Sequence, residues 1–327
     1  MAESIIKVKD LSKSFGKIKA VDNISFEVKR GEIFGFLGPN GAGKTTTINI
    51  ICTLLNKSRG SVTLCGKDVE KQRNAIRNCI GLVFQDPTLD DRLTAHENLY
   101  FHALLYNMPR KLIKERIDGV LKMVNLANRK NDLVRTFSGG MRRRLEIARG
   151  LLHYPQVLFL DEPTLGLDPQ TRNRIWDYII ELKKSTDITI FLTTHYMDET
   201  EICNRIAIID YGKIIALDTP DNLKKSIGGD IITVSSADDG KLKAFITDTL
   251  HKEIEYGSQG QMKFEVEDSS SFVPEFIKKS PVEILSISSR KPTLNDVFLH
   301  LTGREIREET VSSKDEFRLS ARNRMRH

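Results

Sequence analysis

Eight consecutive residues of this chain fit the pattern G-x-x-x-x-G-K-[ST], in which glycines and a lysine surround phosphate groups. They are Gly38, Pro39, Asn40, Gly41, Ala42, Gly43, Lys44 and Thr45. An apolar run at 33–37 precedes them and an apolar-rich segment at 46–51 follows. The loop therefore lies between a predicted buried strand and a predicted helix, as the pattern requires. A glycine-rich turn that only joined a strand to a helix would not need these residue types at these offsets.

This phosphate loop predicts a site for ATP and Mg²⁺. Backbone N–H groups at 41–45 and the positive end of the following helix would face the phosphate oxygens. We expect Lys44 to reach the β- and γ-phosphates and the hydroxyl of Thr45 to ligate magnesium. Thr46, the next residue, is assigned to the same nucleotide site.

Two acids, Asp161 and Glu162, directly follow the apolar run at 157–160. Open α/β sheets bind their ligands at the carboxyl ends of such buried strands. We expect Asp161 to hold Mg²⁺ through a water or hydroxyl shell, and Glu162 to polarise the water that attacks the γ-phosphate. Two adjacent acids after a strand are often only a solvated loop, but here the phosphate loop supplies a group for them to face.

Three further side chains each have a chemical and a structural interpretation. The amide of Gln85 has the groups to touch both magnesium and the attacking water, although a glutamine at a strand end is ordinarily a surface residue. His195 follows a predicted strand at 190–194 and could donate to the γ-phosphate, or it could cap the next helix. Phe15 could stack on adenine or belong to the core. The residues alone leave these alternatives open.

A second phosphate-binding segment is formed by Ser138, Gly139 and Gly140, at the start of a predicted helix over 141–152. Their N–H groups and the serine hydroxyl would make a second grip on the γ-phosphate. Because the chain has one phosphate loop, we infer a head-to-tail homodimer in which each subunit completes the site of the other. Two-fold symmetry would create two such composite sites.

The composition is that of an ordinary globular protein, with 327 residues, 39% hydrophobic and 29% charged. No stretch approaches the ~20 consecutive apolar residues of a membrane-spanning helix, and the N-terminus has no leader pattern, so we expect a cytoplasmic location. The net charge is +6, of which four arginines at 318–327 supply +4. The remainder of the chain is nearly neutral, so we expect no nucleic-acid partner. The alternative is that the basic end at 318–327 contacts anionic lipid or nucleic acid. Four widely spaced cysteines favour reduced thiols.

The periodicity of apolar residues predicts the fold class as α/β. Alternating positions at 5–28 predict short half-buried strands of an antiparallel β lobe. Nearly continuous apolar runs at 157–160 and 188–192 predict a parallel-sheet core. Between 94 and 152 apolar residues recur at intervals of three and four residues, which predicts helices.

These elements divide the chain into an ATPase domain at 1–220, with a helical insert at about 86–155, a small α+β accessory domain at 221–305, and a basic, disordered tail at 306–327. The last helix of the accessory domain is predicted to begin after Thr293. One face of that helix would carry Leu294, Val297, Phe298 and Leu301.

Taken together, these residues resemble the ATP-binding subunits of ABC transporters over nearly the whole chain, which implies the P-loop NTPase fold and ATP hydrolysis. By this resemblance, residues 38–45 of this chain correspond to the Walker A loop, 157–162 to Walker B with its catalytic glutamate, and 137–141 to the signature segment. The resemblance gives the adenine-stacking position to Phe15, the Q-loop position to Gln85, the D-loop at 165–168 to Asp168, and the switch position to His195. The catalytic set that it implies is Glu162, His195, Lys44 and Gln85.

Three positions depart from the common family pattern. The signature segment has Phe137 and Met141 where Leu and Gln are common, and Phe15 stands where Tyr is frequent. None of these departures removes a phosphate contact, so we expect ATP binding to survive.

The segment 292–305 resembles the end of the daunorubicin-resistance type within the ABC-2 exporter group. This implies a separately encoded integral-membrane ABC-2-type permease, a position on the inner face of the cell membrane through that permease, and drug or antibiotic efflux. Export of sodium, lipid or polysaccharide is the alternative for the cargo.

A soluble ABC ATPase that acts on ribosomes or DNA is the rival function. Ribosome-acting relatives usually carry two cassettes and DNA-repair relatives carry a long coiled-coil insertion, whereas this sequence has one uninterrupted cassette. A regulatory role for the accessory domain is the third possibility.

Overall fold

The computed structural model describes residues 3–256 and 260–303, in which the strands form three sheets and helices flank them. In chain order the strands are β1 (Ser4–Phe15), β2 (Ile18–Lys29), β3 (Ile33–Leu37), β4 (Arg59–Leu64), β5 (Lys67–Asp68), β6 (Ile80–Val83), β7 (Val157–Asp161), β8 (Thr189–Thr194), β9 (Arg205–Asp210), β10 (Lys213–Asp218), β11 (Asp230–Ser236), β12 (Glu255–Tyr256), β13 (Met262–Val266) and β14 (Ile284–Arg290). The helices are α1 (Lys44–Ile51), α2 (Arg73–Arg77), α3 (Ala95–Leu105), α4 (Arg110–Met123), α5 (Gly139–Leu151), α6 (Pro169–Ser185), α7 (Pro220–Lys225), α8 (Asp239–Ala244), α9 (Ser269–Lys279) and α10 (Leu294–Thr302).

The central sheet has six strands in the order β10-β9-β3-β8-β7-β6. All neighbours are parallel except the β9–β10 hairpin. Every residue of β3, β7 and β8 is buried, because the sheet is covered on both faces. One face packs on α1 and on the β1–β2 lobe. Five phenylalanines lie at the contact with the lobe, with ring centroids 5.4–6.2 Å apart: Phe26, Phe34, Phe36, Phe159 and Phe191. The other face packs on α5 and α6.

The antiparallel lobe is a separate sheet in the order β2-β1-β4-β5. Its first two strands are 12 residues each, so the predicted short strands at 5–28 were wrong in length. Several register shifts interrupt the β1–β2 pairing, one of them between Val8 and Leu11. Such bulges break the strict alternation of apolar and polar residues, and a long bent strand therefore resembles several short ones in the sequence.

The C-terminal part forms a third sheet, in the order β12-β13-β11-β14, with its own apolar core. Its last helix does not join that core: Leu294, Val297 and Phe298 of α10 are buried in the cluster that contains Leu223 of α7 and, in the central sheet, Ile206 and Ile208 of β9. Thr293 caps α10 as predicted, but Leu301 is 42% exposed, so the predicted apolar face is buried only along its earlier turns. The domain boundaries near 220 and 305 stay a prediction, and residues 306–327 lie outside the described residues.

No helix within residues 3–256 and 260–303 combines the length and the apolar character that crossing a bilayer requires. All four cysteines carry free thiols, and those of Cys52 and Cys203 are buried.

Gly81 marks a close approach of α5 to the central sheet, because a Cβ at this position would overlap the carbonyl oxygen of Gly150. We expect Gly81→Ala to lower the free energy of unfolding by about 1–3 kcal/mol, since backbone must move to make room. Gly119 on α4 is the matched control, because a Cβ there has no neighbour within 4 Å, and Gly119→Ala should raise stability by about 0.5–1 kcal/mol. Urea-induced unfolding measures both changes, and two shifts of the same sign would contradict this packing.

Candidate active site

Parallel strands bring the predicted site residues to one edge of the central sheet. The phosphate loop joins β3 to α1, Gln85 lies two residues after β6, Asp161 ends β7 and His195 directly follows β8. Because these four strands run parallel, their carboxyl ends meet at the same edge. Residues that are far apart in the sequence thus share one site.

An open cavity of about 330 Å³ lies at this edge. It is lined by Ala20, Asn40, Gly41, Gly43, Lys44, Thr45, Thr46, Gln85, Glu162 and Leu165. The loop needs glycine for conformation and for space: Gly41 and Gly43 have φ of 80° and 106°, and a Cβ on Gly43 would overlap the carbonyl oxygen of Ala20. Ala42 of the loop is buried, and the Gly38 N–H donates to the carbonyl of Thr194 at 3.2 Å.

Lys44 opens α1 with its side chain folded back into the loop. Its ammonium donates to the carbonyl oxygens of Gly38 at 2.7 Å and Pro39 at 3.1 Å, and lies 3.1 Å from a carboxylate oxygen of Glu162. Burial lowers the pKa of Lys44, although the negative charge of Glu162 opposes the shift. A γ-phosphate in the cavity would compete with Glu162 for this cation.

Asp161 and Thr45 present oxygen atoms to each other across the site. One carboxylate oxygen of Asp161 accepts from the hydroxyl of Thr193 at 2.5 Å and lies 3.4 Å from that of Thr45. Burial raises the pKa of Asp161 in spite of these hydrogen bonds. The hydroxyl of Thr45 and the exposed amide of Gln85 line the cavity, and the carboxylate of Asp161 lies directly beside that hydroxyl. These are the hard oxygen donors that Mg²⁺ prefers, so the residues fit this ion.

Glu162 lies in a tight, strained turn directly after β7. Its φ is 45°, in the left-handed region that a glutamate rarely adopts, and its N–H donates to the carbonyl and hydroxyl of Thr193 at 3.2 and 3.1 Å. The carboxylate contacts Lys44 on one side and Nδ1 of His195, at 3.0 Å, on the other. Burial alone would raise the pKa of Glu162, but the hydrogen bond from His195 and the charge of Lys44 outweigh it and hold the pKa below its ordinary value.

The second predicted phosphate grip lies apart from this cavity. Ser138 caps α5 by accepting from the N–H of Met141 at 3.3 Å, and it lines a different cavity of about 270 Å³ together with Gly140 and Thr171. Asp168 caps the neighbouring helix α6, accepting from the N–H of Thr171 at 3.0 Å, and these hydrogen bonds lower its pKa. The structure thus places the signature segment beside Asp168 rather than beside Lys44.

Phe15 ends β1 with its ring 49% exposed, so the interpretation as a core residue was wrong. The ammonium of Lys13 lies 5.0 Å from the ring centroid. An exposed ring at the end of the lobe is available for stacking, and adenine contact stays a prediction.

Two residues that the sequence analysis missed stabilise the turn at Glu162. Thr193 binds Asp161 and Glu162 through its hydroxyl, and Arg143 of α5 donates to carbonyl oxygens of the same turn. Two consecutive threonines, Thr193 and Thr194, end the predicted strand directly before the candidate His195 and were an available signal. Arg143 was masked by the arginines on either side of it.

Comparison with known proteins gives two family matches. Residues 21–165 match the model of the ABC transporter family, and residues 219–302 match that of the C-terminal domain of DrrA1-3-like ATP-binding proteins.

Proteins of similar sequence and structure extend these matches. The chain is 38% identical to the linearmycin resistance ATP-binding protein LnrL of Bacillus subtilis, covering 93% of this chain and 100% of that protein. It is 37% identical to the daunorubicin resistance ATP-binding protein DrrA3 of Streptomyces coeruleorubidus, covering 93% and 97%. A dimeric structure of the ATP-binding cassette MJ0796 in a post-hydrolysis state with ADP and Pi superimposes with a TM-score of 0.59 and 29% identity, covering 65% of this chain and 98% of that one.

Proposed function

We propose that this chain, which belongs to the ABC transporter family as an ATP-hydrolysing subunit of the drug-resistance exporter type, powers an ABC-2-type membrane permease by closing and opening a head-to-tail homodimer. One observation carries the proposed chemistry. The carboxylate of Glu162 lies between Lys44 and His195 at a cavity lined by the phosphate loop.

In this proposal the phosphate loop and the polar side chains around Glu162 have distinct tasks. The N–H groups of 41–45 and Lys44 hold the phosphate chain, and Glu162 accepts the proton of the attacking water. His195 orients that carboxylate and donates to the γ-phosphate. Thr45, Asp161 and Gln85 would hold Mg²⁺, which supplies charge neutralisation for the phosphates when it is bound.

The second half of each site would come from the partner subunit. Ser138, Gly139 and Gly140 lie at the exposed amino end of α5, where free N–H groups favour an anion. Asp168 lies beside them and would border the same phosphate. Because the cavity around Lys44 is open, a second copy placed head to tail can present this segment to it.

The permease would dock beside Gln85 and the helical insert. On that side of the molecule α3 exposes four large apolar side chains: Tyr100, Phe101, Leu104 and Leu105. A cavity of about 520 Å³ adjoins them, with Leu105 and Phe84 in its lining. Exposed apolar surface of this kind is typical of protein interaction sites. The chain would thereby lie on the inner face of the cell membrane.

Antibiotic-type compounds are the cargo that we propose. The similarity to the linearmycin and daunorubicin resistance proteins extends over 93% of this chain and over 100% and 97% of those proteins. The cargo itself would contact the permease, so its identity depends on that second protein.

Affinity capture tests this function. Tagged Glu162→Gln protein is recovered from detergent-solubilised membranes with ATP and magnesium, and the bound proteins are identified by mass spectrometry. We expect stoichiometric recovery of a multi-spanning permease, and less of it with tagged Lys44→Ala as the control that binds ATP poorly. Recovery of ribosomal or DNA-bound proteins instead would overturn the proposal in favour of a soluble ATPase. A captured permease then allows transport of an antibiotic, sodium, a lipid and a polysaccharide to be compared.

A further inference from the structure

Arg143 is a buried arginine of α5, 7% exposed, that no step of the proposed mechanism uses. Its guanidinium donates to four carbonyl oxygens and one carboxylate. The acceptors are Phe84 at 2.6 Å, Pro163 at 2.6 Å, Asp161 at 3.1 Å, Glu162 at 3.2 Å and the Glu146 side chain at 2.8 Å. All of the carbonyl acceptors lie in two segments, the end of β6 and the turn after β7.

The second carboxylate oxygen of Glu146 extends this cluster. It accepts from the N–H of Thr88 at 2.9 Å. Phe84 and Thr88 stand on either side of Gln85, so the Arg143–Glu146 pair fixes both ends of the segment that carries Gln85. The same guanidinium holds the peptide of Glu162. One buried ion pair therefore joins the loop next to the proposed permease site with the turn that carries the proposed base.

We propose that Arg143 is a positioning residue that keeps the Glu162 carboxylate aligned for water attack and fixes this alignment to the Gln85 segment. The inference rests on the proposed role of Glu162 in hydrolysis. The left-handed turn at Glu162 needs external support, since a glutamate does not favour that conformation. The three carbonyl oxygens of this turn, at 161, 162 and 163, all accept from the one planar guanidinium of Arg143.

Lysine cannot replace arginine in this role. A lysine at 143 would keep a positive charge opposite Glu146, but one ammonium cannot match the fork of donors that reaches carbonyls on both segments. Arg143→Lys therefore separates charge balance from positioning. If Arg143 only neutralised Glu146, the lysine variant would behave as wild type.

The test is steady-state ATP hydrolysis by the full chain. We expect Arg143→Lys to lower kcat by about 10- to 100-fold, because small displacements of a catalytic group have effects of this size, with the KM for ATP unchanged because Arg143 does not touch the phosphate loop. Arg116→Gln is the matched control: this half-buried arginine also donates to backbone carbonyls of the α5 region, those of Leu151 and Leu152, on the side away from the cavity. It should lower the melting temperature and leave kcat unchanged.

A double-mutant cycle shows whether Arg143 acts through Glu162. In single-turnover hydrolysis, Arg143→Lys should have no further effect once Glu162→Gln is present. A wild-type kcat in Arg143→Lys, or an equal loss of rate in both backgrounds, would overturn the positioning role. Either result leaves permease capture unaffected, so this inference and the proposed transport function fail in distinguishable ways.

Discussion

Glu162→Gln is expected to reduce ATP turnover by about 10²–10⁴-fold, the range for loss of a general base, and to accumulate an ATP-bound dimer. The amide keeps the shape of the side chain but cannot accept the proton of the attacking water. It also removes the negative charge 3.1 Å from the Lys44 ammonium. Lys44 is then free to bind phosphate, and the repulsion between a carboxylate and the γ-phosphate disappears, so ATP affinity should be kept or increased.

Phosphate release and size-exclusion chromatography with ATP and magnesium measure the two effects. Glu32→Gln is the control for loss of a buried carboxylate: Glu32 pairs with Arg205, and it lies just before β3, at the end of the sheet opposite the cavity. It should lower stability and preserve kcat per folded molecule. Wild-type hydrolysis by Glu162→Gln would remove Glu162 from the mechanism.

Mixing two inactive variants should restore hydrolysis if the sites are composite. Lys44→Ala removes the phosphate contact of one half-site. Ser138→Asp keeps a good cap for α5, since aspartate caps as well as serine, but its charge repels the γ-phosphate. In an equal mixture about half of the dimers are mixed and each has one intact site, so about a quarter of the wild-type activity should return.

The recovered activity is measured after the variants are mixed and allowed to exchange subunits. Ser138→Asn, which keeps the cap without adding charge, serves as the control for the shape of the side chain and should lose less activity by itself than Ser138→Asp. A mixture no more active than its separate components, in both hydrolysis and ATP-dependent dimer formation, would contradict the composite site.

Local sequence was sufficient for the phosphate loop, the acids after β7 and the family. The pattern of the phosphate loop lies within eight residues and depends on the conformation of those residues alone. Its glycines and Lys44 can therefore be identified without knowledge of the fold. The predicted fold class and the ATPase function are confirmed. The roles of the individual site residues stay predictions.

Contacts between distant segments were not predictable in the same way. The pairing of Glu162 with His195 depends on β7 and β8 being neighbours in the sheet. The spacing of apolar residues predicts the strands but does not predict their order in the sheet. Arg143 is one of three consecutive arginines, and only the packing of α5 decides which of them faces the turn. Leu301 likewise has the helical spacing of a buried residue, but its burial depends on what lies opposite the last turn.

The position of α10 changes what a truncation experiment can mean. A chain cut near residue 220 would lose Leu223 and Ile227 together with Leu294, Val297 and Phe298. Apolar residues of the ATPase core in the same cluster, such as Ile206 and Ile208, would lose part of the packing that shields them from water. Exposed apolar surface of this kind promotes association of unfolded or partly folded chains. A shortened protein that aggregates or loses activity would therefore report a missing structural cover, and it would say nothing about regulation. Point substitutions on β12–β14, which leave α10 in place, are the informative probes of a regulatory role.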